Sequence, residues 1–151
     1  MSNFQVTSAT VTINGTSYSK SLIKEIYFGS SYENVTRIRD NFLRSFTSLT
    51  SVDLSGLVNV TSIGNSFIND CPNITFVDLI NSTKIENIGI GFIERCASLT
   101  ALCIGTIVPP TIGGQLLSNS PIQTIQVPAQ SVNAYKIATN WKIHASKISA
   151  I

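Results

Sequence analysis

Apolar residues along this chain fall into a register that repeats every 25 positions. Segments 35–54, 60–79 and 85–104 superpose without a gap, and a shortened fourth copy runs through 112–127. Five apolar columns result: Ile38, Ile63, Ile88 and Ile112; Phe42, Phe67, Phe92 and Leu116; Leu49, Ile74, Leu99 and Ile122; Val52, Val77, Leu102 and Ile125; Leu54, Leu79, Ile104 and Val127. Ile23, Ile26 and Phe28 match the last three columns and mark a degraded earlier copy. One such copy cannot bury its own apolar edge. Stacked copies bury it against one another, so the pattern predicts a solenoid.

The elements follow from the local alternation. In Val52-Asp53-Leu54 successive side chains point to opposite faces, so Val52 and Leu54 face in and Asp53 faces out. Equivalent stretches in adjacent coils predict a parallel ladder. Val60-Thr61-Ser62-Ile63 and its equivalents predict a second one, whereas Phe67 to Cys71 reads as a helical turn at the corner. Gly64, Gly89 and Gly113 recur at the bend, where a positive φ is expected. At the N-terminus Asn14-Gly15, between β-branched residues, predicts a hairpin over 11–18. At the other end Ser131 reads as an N-cap to a helix through Thr139, with Asn140 as the stop. Tyr135, Ala138 and Trp141 are expected to lid the last coil, with Ile148 and Ile151 adding a closing strand. The fold class is therefore a β-rich leucine-rich-repeat solenoid with parallel β ladders and short helical turns. Its expected divisions are a hairpin cap over 1–20, repeats over 21–128 and a C-terminal cap over 129–151.

The motif Ile63-Gly64, Phe67, Cys71, Ile74 recurs as Ile88-Gly89, Phe92, Cys96, Leu99, Leu102. This rhythm resembles the BspA-type leucine-rich-repeat family over roughly residues 21–151. The tail from Val127 to Ile151 is similar to the segment that closes such arrays in gut bacterial and phage proteins. The period is longer than the family's commoner one. The resemblance implies a surface protein used in adhesion. Met1-Ser2-Asn3-Phe4-Gln5 lacks the basic start and apolar run of a signal peptide. The expected setting is then a virion or other extracellular surface, for example a phage host-recognition, fibre or decoration protein.

Composition narrows the classes further. Charged residues make up 12% and the net charge is +2, which gives no global argument for nucleic acid. Residues 1–94 hold all eight acids, while 95–151 hold four basic residues and no acid, so the C-terminal end is mildly basic. No apolar run approaches the ~18 residues that cross a bilayer, so a soluble chain without membrane insertion is expected.

Candidate chemistry is sparse. Cys71 and Cys96 share a column with Phe46 and Ser120 and read as small apolar ladder residues, although they stack within disulfide reach in principle. Cys103 aligns with Asp53 and Asp78 and is expected outward as a free thiol. With no CxxC or Cys/His cluster, no metal and no cofactor are expected. His144 is the one histidine and reads as a surface or capping residue. Asp53 and Asp78 are expected as stacked, solvated carboxylates about one strand spacing apart. A flat ladder does not supply the cleft a glycosidase needs. No catalytic residue is assigned and an enzyme is not expected.

The exposed ladder face is the better candidate. One outward file is Glu25, Ser51, Phe76, Ala101 and Thr124; its neighbour is Tyr27, Asp53, Asp78, Cys103 and Gln126. Outward aromatics are enriched at binding hot spots, which selects Tyr27, Asp53, Phe76, Asp78 and Cys103 as binding residues for a protein or surface-glycan partner. The alternative is a structural virion subunit whose solenoid serves as a rigid spacer. Asn14, Asn34, Asn59, Asn73 and Asn81 begin Asn-x-Ser/Thr sequons, as expected by chance in a chain this rich in Asn and Thr.

Overall fold

The computed structural model describes residues 4–6, 10–13, 16–28 and 32–151. The chain opens with an antiparallel sheet of β1 (Phe4–Val6), β2 (Thr10–Ile13) and β3 (Thr16–Ser19). Ile13 pairs with Thr16, so β2 and β3 form the expected hairpin; Asn14 and Gly15 themselves lie outside the described residues. A 3-10 turn, Lys20–Leu22, leads into β4 (Glu25–Tyr27), the strand of the degraded copy.

The repeats then run as coils of up to three short strands. The first holds β5 (Arg37–Ile38), β6 (Leu43–Arg44) and β7 (Ser51–Asp53). The second holds β8 (Ser62–Ile63), β9 (Ile68–Asn69) and β10 (Phe76–Leu79). The third holds β11 (Asn87–Ile88), β12 (Ile93–Glu94) and β13 (Ala101–Ile104). The shortened fourth holds β14 (Thr111–Ile112) and β15 (Thr124–Val127). After α1 (Val132–Ile137), β16 (Ile148–Ala150) closes the chain.

Like strands stack parallel and in register. The second ladder runs β5-β8-β11-β14 and the third β6-β9-β12. The front ladder falls into two hydrogen-bonded parts, β4-β7 and β10-β13-β15-β16. All five apolar columns line the interior; Phe42 alone among them is only half-buried. Phe42, Phe67 and Phe92 stack face over face, with ring centroids 6.1 and 5.7 Å apart. A sixth column, Leu43, Ile68, Ile93 and Leu117, is equally buried.

Two expectations about the corner are corrected. Residues 67–71 are not a helical turn; they contain the third ladder. Left-handed residues bracket it, Asn41, Ser66, Gly91 and Gln115 before it and Ser45, Asp70, Arg95 and Asn119 after it. Between the two brackets the hydrogen bonds reverse. Ahead of the corner an amide donates to the preceding coil, as Gly89 does to the Ile63 carbonyl at 2.9 Å. Within it the amide donates to the following coil, as Ile68 does to the Phe92 carbonyl at 2.9 Å. A residue with positive φ turns the peptide over, at about 1–2 kcal/mol for a side chain other than glycine.

Gly64, Gly89 and Gly113 do not adopt positive φ. They are small because coils touch there: a Cβ on Gly89 would stand 2.6 Å from the Asn65 nitrogen, and one on Gly64 would stand 2.6 Å from the Asp40 nitrogen. The same corner carries a polar ladder. Asp40 Oδ1 accepts the Asn65 amide at 2.8 Å, and Asn65 Oδ1 accepts the Ile90 amide at 2.7 Å.

Each end of the stack is closed by donors that replace a missing coil. Within the array the carbonyls of Asn69 and Glu94 accept amides from the preceding coil. Their equivalent in the first coil, the Arg44 carbonyl, accepts Lys20 Nζ at 2.9 Å instead. Lys20 is buried, which lowers its pKa, and its ammonium lies 5.0 Å from the Phe46 ring centre. At the far end Asn140 Nδ2 donates to the Ile112 carbonyl and Trp141 Nε1 to the Pro110 carbonyl, both at 2.8 Å. The equivalent carbonyls of Ile88 and Glu86 accept amides from the next coil. Tyr135 and Trp141 are fully buried edge-to-face, with centroids 4.9 Å apart, and Ala138 packs beside them, so the expected lid is present. Ser131 stands at the expected N-cap position of α1, but its hydroxyl does not cap. It has helical φ and ψ, ends the 3-10 turn Ala129–Ser131 that runs directly into α1, and makes no side-chain capping bond.

Three substitutions test this packing. Phe67→Ala should cost about 3–5 kcal/mol in denaturant unfolding, because it opens a cavity in the ring stack. Gly89→Ala and Gly89→Asn should both destabilise by about 1–3 kcal/mol through overpacking. A tolerated asparagine would show instead that backbone freedom, rather than close approach, selects the glycine.

Candidate binding surface

The outward side of the front ladder is built by strand alternation on a sealed interior. Val52, Val77, Leu102 and Ile125 point in, which fixes the other rungs to point out. Tyr27 is 63% exposed and Phe76 42%, so both stand out from the sheet as the alternation requires. Glu25, Ser51 and Asp53 are also exposed, Asp78, Ala101, Thr124 and Gln126 are half-buried, and Cys103 is buried. The face is therefore most open over β4, β7 and the start of β10.

Its polar groups are partly engaged. The Tyr27 hydroxyl donates to Glu25 Oε2 at 2.6 Å, and that bond together with the Glu25 charge raises the phenol pKa. Asp53 Oδ1 accepts the Ser55 amide at 2.8 Å, and hydrogen bonding to Ser55 holds its carboxyl below the usual range. Asp78 Oδ1 accepts the Ile80 amide at 2.8 Å in the same local turn. Tyr27 pairs with Asp53, and Asp78 pairs with Cys103, but the ladder breaks between β7 and β10. Asp53 and Asp78 thus belong to separate hydrogen-bonded sheets, and each is turned toward its own loop rather than shared with the other.

Cys103 departs from the sequence expectation. It is a free thiol, as expected, but it is only 5% exposed and sits between the Asp78 and Gln126 rungs. Its pKa is pushed up to about 11 by burial and then by the neighbouring Asp78. Cys71 and Cys96 are free and fully buried in their shared column, with pKa values raised by burial to about 12 and about 11. The His144 imidazole is half-buried in the C-terminal segment; burial first, and then the Lys147 charge, lower its pKa. Among the described residues no three His, Cys, Asp or Glu side chains gather as a metal site. No helix among them is long and apolar enough to cross a membrane.

Two exposed features escaped the sequence reading. Arg37, Arg39 and Asp40 line a surface cavity of about 510 Å³ beside the second ladder. The signal was present in the composition, since the chain has four arginines and three of them, Arg37, Arg39 and Arg44, fall in one coil. Ile107, Val108, Ile137 and Ile143 are each 60–78% exposed around the C-terminal lid.

Stacked coils, parallel ladders and closed ends define a leucine-rich-repeat solenoid. Residues 11–141 match the BspA type leucine rich repeat region in six copies, and the chain belongs to that family. No curated protein matches the chain in sequence. Repeats of this family are binding and adhesion modules, typically non-enzymatic, and generally take protein partners.

The thiol environments give a direct check. At pH 8 a thiol of pKa about 11 is about one part in a thousand thiolate. Native protein should leave all three cysteines unreactive toward a disulfide reagent over minutes, whereas denatured protein should titrate all three. Rapid modification of Cys103 in the native state would place it on the open surface after all.

Proposed function

We propose that this chain is a non-enzymatic recognition module and that the front ladder face over β4, β7 and β10 contacts a protein partner. The single observation behind the reading is that two aromatics, Tyr27 and Phe76, stand exposed on the same ladder face; among the described residues the other exposed ring, Tyr18, belongs to the N-terminal sheet. Aromatic side chains with few rotors lose little entropy on docking and supply much of the contact energy at interfaces. Asp53 and Asp78 flank them with acceptors already oriented by their own loops. Cys103 and Gln126 extend the same file at the half-covered end. Two adjoining sheets over one packed interior present these groups, Tyr27 and Asp53 on one and Phe76 and Asp78 on the other, and a preorganised surface favours affinity.

A photo-reactive side chain at position 76 should crosslink a partner that the same group at exposed Thr83 does not. With that partner purified, Phe76→Ala and Tyr27→Ala should each raise Kd about tenfold or more. Thermal stability should stay nearly unchanged. Equal affinity in both variants would discard this face.

A further inference from the structure

A second site lies on a different side of the coil. Arg37 and Arg39 are alternate residues of one extended segment around β5, flanking buried Ile38, so both guanidinium stems leave the sheet on the same side. They line one cavity of about 510 Å³ together with Asp40. Neither arginine takes part in the ion pairs found among the described residues, which join Arg95 to Asp70 and to Glu94. The third arginine of the coil, Arg44, is tied to Asn41 Oδ1 at 3.3 Å.

Repetition makes the pair conspicuous. Arg37 pairs with Ser62, the same rung continues through Asn87 and Thr111, and the positions equivalent to Arg39 are Gly64, Gly89 and Gly113. The stack needs no charge at either place. Two guanidiniums facing one cavity without a carboxylate partner are donors waiting for an oxyanion, which such forks bind in bidentate fashion. Asp40 adds the complementary group. Its Oδ1 and Oδ2 accept from Asn65 N and Nδ2 at 2.8 and 3.2 Å, so the carboxylate is held still while each oxygen keeps a free lone pair. A fixed acceptor beside two fixed-charge donors suits a ligand that carries an anion next to hydroxyl groups. The cavity is shallow and open to solvent, so a ligand there is contacted from one side and keeps much of its hydration, as a polar sugar can.

We propose that this cavity binds an acidic saccharide, with Arg37 and Arg39 holding its carboxylate or sulfate and Asp40 accepting from a neighbouring hydroxyl. The site is independent of the front ladder face, and neither depends on the other.

The test is an amide-resolved NMR titration of the whole chain with glucuronic acid, glucose 6-sulfate and uncharged glucose. Both acidic sugars should shift the amides of 36–41 saturably, and glucose should not. A sulfate arm stronger than the carboxylate arm, or the reverse, identifies which oxyanion the site prefers. Arg37→Gln with Arg39→Gln should weaken the acidic sugars about tenfold or more. Asp40→Asn should weaken the sugars while strengthening inorganic sulfate, because it removes a repelling charge and turns one of the two acceptor oxygens into a donor. Unchanged affinity in the double arginine variant would overturn the proposal. So would shifts centred on Lys136, Lys142 and Lys147, or saturable binding of a glutamate-rich peptide to the same amides in the absence of any sugar effect.

Discussion

Register between successive coils is the constraint on which the rest of this structure depends. Each coil must place its apolar residues directly above those of the coil before it, and must do so while every ladder amide finds a carbonyl one coil away. The two demands reinforce each other. Ile38, Ile63, Ile88 and Ile112 stack because their strands are hydrogen-bonded in register, and those strands stay in register because a shift by one residue would turn the column to solvent. The left-handed residues at the corners follow from the same constraint. They turn the backbone so that the third ladder donates forward while the second donates back, and each coil is gripped from both sides. The ends obey it too, since Lys20, Asn140 and Trp141 supply donors where the next amide would have been.

Function is set by what the register leaves free. Inward columns are committed to packing, but outward rungs tolerate almost any side chain. Against that background a departure from the repeat carries information. Tyr27 and Phe76 on the front ladder are such departures, and so are Arg37 and Arg39 on the second. None of the four is needed by a neighbour for stacking, and all four face solvent on a rigid support. The chemistry differs between faces: aromatic surface with oriented carboxylates on one, paired guanidiniums around a cavity on the other. Two chemically distinct faces on one stack are consistent with a family whose repeats serve recognition.

Much of this was legible in the sequence because stacking copies every signal. The 25-residue beat fixed the five apolar columns, the two longer ladders and the outward direction of Tyr27 and Phe76, while the helix pattern of the tail beyond the repeats pointed to the closing role of Tyr135 and Trp141. Legibility failed where one signal has two causes. Phe67, Ile68 and Cys71 have a spacing that a helical turn would also give, and the third ladder strands are only two residues long, too short for alternation to declare itself. Recurrent glycine indicates either positive φ or close approach. Here it meant the second, while Ser66 and Arg95 took the strained conformation that composition does not advertise. Cys103 was expected outward from alternation alone. Burial by neighbouring rungs is a property of the assembled face and has no local signature.

Native-state hydrogen exchange tests the register most directly. Amides of Gly89 and Gly113, bonded to the preceding coil, and of Ile68 and Ile93, bonded to the following one, should exchange only through global unfolding. Protection at these four positions in both directions of bonding is the predicted result. Exchange at the rate of an unfolded peptide at Ile68 and Ile93, with protection kept at Gly89 and Gly113, would contradict the third ladder and with it the reversal of bonding at the corner.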